Sequence, residues 1–149
     1  MPDTTPLAIY RQMQQAVLRE EGATLLPAEL LADDLVVETP FSPPGMRRIE
    51  GREAWLEFYA SRPLPFRFTE FRELSTIVTA DPEVLVVEYE LVGTVTTTGA
   101  PGSATFIAVL RVHNGRIVLW REYQNLLAIT QALSLRPEDL GSPAEDRIG

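Results

Sequence analysis

The dipeptide Asn114-Gly115 lies between two apolar-rich runs, Thr105 to Val112 and Ile117 to Tyr123. Asn-Gly accepts the positive φ values of a tight β-turn, so these runs are tied together as an antiparallel hairpin. The same grammar extends backwards along the chain. Val84 to Val95 reads as another long strand, closed at its far end by the loop Thr96 to Gly102 and at its near end by the turn Asp81-Pro82. Phe66 to Thr69 and Leu74 to Thr79 read as one more strand, bulged around Glu70. The second half of the chain is thereby committed to four long strands joined mostly by hairpins.

The first half has a different period. Thr5-Pro6 reads as a cap and first helical residue, followed by Leu7, Tyr10, Gln14, Val17 and Leu18, with Gly22 as a stop. A short second helix is expected from Pro27, burying Leu30 and Leu31 and ending at Asp33-Asp34. Leu35 to Thr39 is a brief β-rich run broken by Pro40, and Pro43-Pro44-Gly45 is a rigid turn. After Gly51, the residues Ala54, Trp55, Phe58 and Tyr59 fall on one face of a third helix, which Pro63 and Pro65 terminate. Helices ahead of an antiparallel sheet make an α+β domain. A curved sheet wrapped around three N-terminal helices forms a cone whose open end is a pocket.

Composition narrows the chemistry. The 149 residues suit one domain, 1–149, with a core from about 7 to 133 and a flexible tail at 136–149. Cysteine is absent, which removes disulfides, thiolate metal sites and a cysteine nucleophile. All 13 basic residues are arginine, so lysine nucleophiles and Schiff bases are excluded as well. His113 stands alone, and no multi-histidine or EF-hand spacing is present, so neither metal nor cofactor is expected. A formal charge of −8 disfavours nucleic acid and anionic lipid. No apolar run is long enough for a membrane span, and Met1 to Pro6 lacks the basic and apolar parts of a secretion leader, so a cytoplasmic protein is expected. Carboxylates, tyrosines and amides remain to do any chemistry.

Several pieces in order carry a family resemblance: Ala32-Asp33-Asp34 leading into a strand, the proline-rich loop, Glu50-Gly51-Arg52-Glu53 opening a helix, and Asn114-Gly115-Arg116-Ile117 ahead of Trp120-Arg121-Glu122-Tyr123. Together they resemble the nuclear-transport-factor-2-like superfamily in its SnoaL-like branch, over residues 7 to 133. That superfamily includes ketosteroid isomerases, limonene-type epoxide hydrolases, polyketide cyclases, phenazine-biosynthesis A/B proteins and pocketed proteins of other roles. The resemblance implies a cofactor-free fold with a small-molecule pocket.

Glu122 is the leading catalytic candidate. Alternation sets Val118, Trp120, Glu122 and Gln124 on one strand face and Ile117, Leu119, Arg121 and Tyr123 on the other. A carboxyl beside Trp120 on an inner face would be desolvated and its pKa raised, which suits acid/base work. The resemblance agrees, since several SnoaL-like enzymes place an acid after this strand's arginine. The alternatives are pairing with an arginine across a dimer, or a wet pocket rim. Glu38 and Thr39 precede Pro40, where the superfamily places pocket groups, and parity allows only one of them inside. The catalytic aspartate of ketosteroid isomerases corresponds to Thr39, and their oxyanion donors to Gln15 and Ala108, which argues against steroid-type isomerisation. The epoxide hydrolases' water-holding asparagine corresponds to Glu38, and their middle-strand arginine and aspartate to Tyr89 and Leu91. Tyr89 therefore offers a pocket hydrogen bond or plain core packing.

Trp120, Gln124, Trp55, Phe58, Tyr59 and Phe106, with Phe66 and Phe68, form an aromatic and amide lining for a small apolar ligand, or simply core. Arg47-Arg48 would meet a carboxylate at the mouth or remain solvated. Arg111, Arg121 and Tyr123 on the outer sheet face fit a homodimer. The functional expectation is a cofactor-free enzyme of secondary metabolism that cyclises, isomerises or adds water to a small apolar metabolite through Glu122. The alternative is a non-catalytic binding or carrier protein of the same fold.

Overall fold

The structure is a computed structural model, and it describes residues 3–19, 26–62 and 65–134. Helix α1 (Pro6–Arg19) is followed by a 3-10 turn (Ala28–Leu30), β1 (Leu31–Glu38), β2 (Arg48–Glu50) and α2 (Arg52–Ser61). Then come β3 (Phe66–Val78), β4 (Val84–Val95), β5 (Pro101–His113), β6 (Arg116–Gln124) and α3 (Leu126–Leu133). The six strands form one sheet in the order β2-β1-β6-β5-β4-β3. It is antiparallel except where β1 lies parallel to β6, so the all-antiparallel expectation gives way to a mixed sheet. The cause is connectivity: β1 precedes α2 and the β3–β6 meander, and it returns to pair with the last strand.

The α+β class holds, and there are three α-helices among the described residues, but only two precede the long strands. The helix expected from Pro27 is a single 3-10 turn. Asp33 and Asp34 lie exposed within β1 instead of ending a helix. A register irregularity against β6 between Leu31 and Val36 absorbs this acidic pair, leaving Leu31, Leu35 and Val37 buried. Helix α3 was not expected at all. It follows β6 directly, and the Asn125 side chain caps it by accepting from Ala128 N at 3.1 Å.

Helix α1 starts as its sequence dictates: Thr5 Oγ1 accepts from Ala8 N at 3.2 Å, ahead of Pro6. Its buried stripe is Ile9, Tyr10, Met13 and Val17. Leu7 and Leu18, expected inside, are exposed, because the helix is rotated toward the neighbouring residue at each turn. Gly22, Pro63 and the 136–149 tail lie outside the described residues.

The meander matches its pattern closely. Asn114 and Gly115 adopt φ of 50° and 74° in the β5–β6 turn. Strand β3 shifts register between Phe68 and Glu70, and again between Glu73 and Ser75. Gly93 in β4 is where β3 comes closest: a Cβ there would sit 2.4 Å from the Arg67 carbonyl oxygen. Strand β6 carries a bulge, since Arg111 pairs with Leu119 while Val112 pairs with Ile117, leaving Val118 as the extra residue. Ile117 is therefore turned to the same inner face as Trp120 and Glu122, against the simple alternation, and is fully buried.

The core lies on the concave face of the sheet. Phe71, Tyr89 and Phe106 stack from β3 to β5 with ring centroids 4.8 and 5.3 Å apart, and Trp120 closes the row 6.4 Å from Tyr89. Tyr10 meets Phe71 edge-on from α1. This layer plugs one end of the concave space, and α2 and α3 flank the other.

Candidate functional site

Glu122 sits where the aromatic layer meets open space. It is one of the few buried polar residues, 3% exposed, on the inner face of β6. Its two carboxylate oxygens are held separately. The Tyr89 hydroxyl donates to Oε2, and Gln124 Nε2 donates to Oε1 at 2.9 Å. Gln124 is steadied in turn by Ser42 Oγ, 3.5 Å from its Oε1. Burial pushes the Glu122 carboxyl above the ordinary carboxylate range, and hydrogen bonds from Tyr89, Gln124 and Trp120 pull it partly back; burial wins. The Tyr89 phenol goes far above its ordinary value, from burial first and then from the Glu122 charge, so it remains a donor at any physiological pH.

One cavity borders this carboxyl, and a second lies beside it. The first, about 70 Å³, is lined by Glu122 with Phe66, Phe68, Phe106 and the α3 residues Ala128, Ile129 and Ala132. Its walls are almost wholly apolar. The second, about 110 Å³, is lined by Trp55, Phe58 and Tyr59 from α2, together with Thr39, Ser42 and Met46. Gln124 and Ile129 line both cavities.

The expected residues thus divide into three groups. Glu122, Gln124 and Phe106 border the first cavity, and Trp55, Phe58, Tyr59 and Thr39 border the second, with Gln124 shared. Tyr89 and Trp120 stand behind the wall, fully buried, and touch the site through Glu122. Glu38 points the other way. It lies 3.4 Å from Arg48 and 3.9 Å from Arg121, while the adjacent Thr39 donates to the Met46 carbonyl at 2.9 Å. Strand parity at β1 allows Val37 and Thr39 inside and sends Glu38 out. Arg47 donates to the Ser42 carbonyl at 2.8 Å, and Arg48 pairs with Glu50 and Glu38. His113 is exposed at the distal hairpin and meets Glu83.

The site also contains residues that sequence reasoning passed over, above all Ala128, Ile129 and Ala132. Their signal was present: an Asn cap followed by the apolar run Leu126 to Ile129. Among the described residues there is no cluster of three or more metal-ligating side chains, and no helix is long and apolar enough to cross a membrane.

Comparison with known proteins agrees with the fold. The SnoaL-like domain family matches residues 11–120. A PhzA/B-like protein of Pseudomonas aeruginosa is 34% identical over 119 residues, 78% of this chain and 82% of that one. A provisionally assigned isomerase of Bacillus subtilis superposes with a TM-score of 0.76 at 27% identity, covering 87% of this chain and 92% of its own. A Mycobacterium tuberculosis protein shares the fold, with a TM-score of 0.60 at 21% identity, covering 83% of this chain and 97% of its own. That protein was solved in complex with estradiol-17beta-hemisuccinate.

Proposed function

The chain belongs to the SnoaL-like domain family, and from that premise we propose that it is a cofactor-free enzyme of the isomerase or cyclase type, moving a proton on a small apolar molecule. The observation that carries this reading is Glu122: a carboxyl 3% exposed, in the wall of an apolar cavity, with both oxygens oriented by fixed donors. Its raised pKa brings it closer to the range where an acid both accepts and returns a proton at neutral pH. In the proposed step Glu122 takes a proton from a carbon next to a carbonyl. The C–H electron pair delocalises onto the substrate's own oxygen, and the new carboxylic acid returns the proton elsewhere on the carbon skeleton or to a newly formed alkoxide. Tyr89 and Gln124 hold the carboxyl plane throughout. Ring closure and double-bond migration both follow from that one transfer.

The bicyclic ketone 2-decalone in deuterated buffer tests the step without knowledge of the natural substrate. The protein is expected to accelerate exchange of the protons next to the carbonyl, followed by NMR. Glu122→Gln should cost roughly 10²- to 10⁴-fold of that acceleration while leaving the dissociation constant unchanged. Equal exchange in the two proteins would remove Glu122 from the chemistry.

A second reading, a carrier that binds without turnover, is favoured by one observation: both Glu122 oxygens already accept from the protein itself. Binding of the ketone with no acceleration by the wild-type protein would decide for it. We further propose that the protein is cytoplasmic, serves secondary metabolism and pairs with a second copy through the outer sheet face.

A further inference from the structure

Among the described residues, three non-aromatic polar side chains are buried: Ser42, Glu122 and Thr130. Thr130 is satisfied within its own helix, donating to the Leu126 carbonyl at 2.7 Å. Ser42 and Glu122 face one shared partner, the Gln124 amide, from its opposite ends. The loop between β1 and β2 brings Ser42 there, and that loop is tied to itself. Thr39 N donates to the Arg47 carbonyl at 3.0 Å, Ser42 N to the Thr39 carbonyl at 2.9 Å, and Arg47 Nε to the Ser42 carbonyl at 2.8 Å. The loop also grips the end of β6 from both sides. Phe41 packs edge-on against Tyr123, with centroids 5.5 Å apart, while its neighbour Ser42 meets Gln124 on the inner face.

An amide presents donors at one end and an acceptor at the other. Gln124 Nε2 donates to Glu122 Oε1 at 2.9 Å, which suits a carboxylate, and Gln124 Oε1 faces Ser42 Oγ at 3.5 Å. The second separation is long for a hydroxyl donor, so Ser42 does not lock the amide in that orientation. A protonated Glu122 reverses the demand, because its O–H needs an acceptor where Nε2 now points. Two buried donors facing each other leave one unpaired, and that costs more than a hydrogen bond ordinarily contributes. Turning the amide end for end sets its oxygen against the carboxylic acid and sends Nε2 to Ser42. A hydroxyl accepts as readily as it donates, so it serves both orientations.

We propose that Ser42 is a positioning residue for Glu122: its two-way hydroxyl lets the Gln124 amide reverse when Glu122 is protonated, so that both charge states of the acid keep a complete set of hydrogen bonds. This deepens the reading of Glu122 as an acid and base, and it rests on that reading only for the use made of the proton. The reversal needs Glu122 to take up a proton from any source, solvent included. The surroundings leave that change to Glu122 alone. Tyr89 from β4 and Tyr59 from α2 both feel its charge, and burial pushes both phenols up, so they stay protonated while the carboxyl titrates. Tyr10 from α1 acts on Tyr89, β5 sets Ala108 opposite Glu122, and α3 has no ionisable side chain. Arg62, which lines the second cavity, lies over the Phe58 ring and stays charged throughout. Glu38 of β1 points away, toward Arg48 and Arg121.

The test follows the Gln124 side-chain amide by NMR across the carboxyl-carbon titration of Glu122, using the protein alone. In the wild type, a nuclear Overhauser contact from the Nε2 protons to the Ser42 Hβ protons is expected to appear as pH falls, with the midpoint of the Glu122 carboxyl. Ser42→Ala removes the acceptor that the reversed amide needs, whereas the unreversed amide loses only the long contact. Glu122 should then hold its proton roughly three- to tenfold more weakly, and its titration should move to lower pH. Ser42→Thr keeps the hydroxyl and should return the midpoint to the wild-type position. A hydroxyl that merely locked the amide toward the carboxylate would give the opposite sign in Ser42→Ala. A midpoint that moves upward or stays in place, or an Overhauser contact unchanged across the titration, overturns the proposal. The two readings fail separately. Amide reversal without accelerated 2-decalone exchange removes the catalytic step and keeps the role of Ser42, and acceleration without reversal does the converse.

Discussion

At the scale of single residues, the side chain with the largest consequences is Glu122, and its burial has a measurable effect on stability. A carboxyl whose folded pKa is raised above its unfolded value binds protons more tightly when folded. Its stabilising contribution is complete below the unfolded pKa, near the ordinary 4.5, and is lost as pH rises through the folded value. Urea unfolding of the wild type should therefore show stability falling with pH above that point, by about 1.4 kcal/mol for each unit of separation between the two values. Glu122→Gln should flatten that slope and be the more stable protein at neutral pH; identical profiles would mean that the carboxyl is not desolvated. Tyr89→Phe acts in the opposite sense on the same group. It removes a donor that favours the charged carboxylate, so the Glu122 titration followed by carboxyl-carbon NMR should move further upward. The orphaned Oε2 should cost about 1–3 kcal/mol of stability at pH 7. Much of this was legible in the residues. Parity set the Glu122 carboxylate on the same strand face as Trp120, and Thr39 against Glu38 was a choice that parity posed and β1 resolved. The tie between Glu122 and Tyr89 was not legible, because it joins β6 to β4 across β5, and no local spacing encodes a contact of 33 residues' separation.

At the scale of elements, alternation and turn chemistry made the meander readable nearly to its ends. The errors cluster where a short segment has two uses. Leu30 and Leu31 suit a helix face as well as the start of a strand, and only pairing of Leu31 with Ile117 selects the strand. Val118 is invisible as a bulge because its neighbours are apolar on both sides, so periodicity cannot show an extra residue there. Helix α3 was overlooked because eight residues are too few to declare themselves by propensity, and such a helix is held by packing. That weakness is testable. Asn125→Ala removes the side chain that caps Ala128 N and should cost about 1 kcal/mol. Because Ala128, Ile129 and Ala132 form walls of the first cavity, the cost should appear locally, as faster amide exchange in α3 and weaker decalin binding, with the β-sheet amides unchanged. Protection lost evenly over the whole chain would instead make α3 part of a single cooperative unit.

At the scale of the whole molecule, the sheet has two faces, and the described residues cover only one of them. On the outer face the register sets Ile77, Val86, Val109 and Arg121 in one row and Ser75, Glu88, Ile107 and Tyr123 in the next. Ile107 is 42% exposed and Ile77 46%, and Phe41, 60% exposed, leans edge-on against Tyr123. Arg121 Nε is buried without a partner among the described residues, and its other contact, Glu38, is at 3.9 Å. An apolar row beside an underused guanidinium and a neighbouring carboxylate, Glu88, is self-complementary about a two-fold axis, because each copy supplies both the cation and the anion. The charge of −8 per chain opposes such pairing at long range, so association should strengthen as salt screens the like charge. Sedimentation equilibrium at micromolar protein should find a dimer whose affinity rises between about 20 and 200 mM salt, across which the Debye length falls below about 10 Å. Ile107→Lys sets an unpaired charge into the centre of that face, at a cost of several kcal/mol on pairing, and should leave monomers at the same concentration. Since the concave cavities open on the opposite side of the sheet, the monomeric variant should bind 2-decalone as the wild type does. A wild type that sediments as a monomer, or an Ile107→Lys protein that remains dimeric, would place the two-fold contact on some other surface.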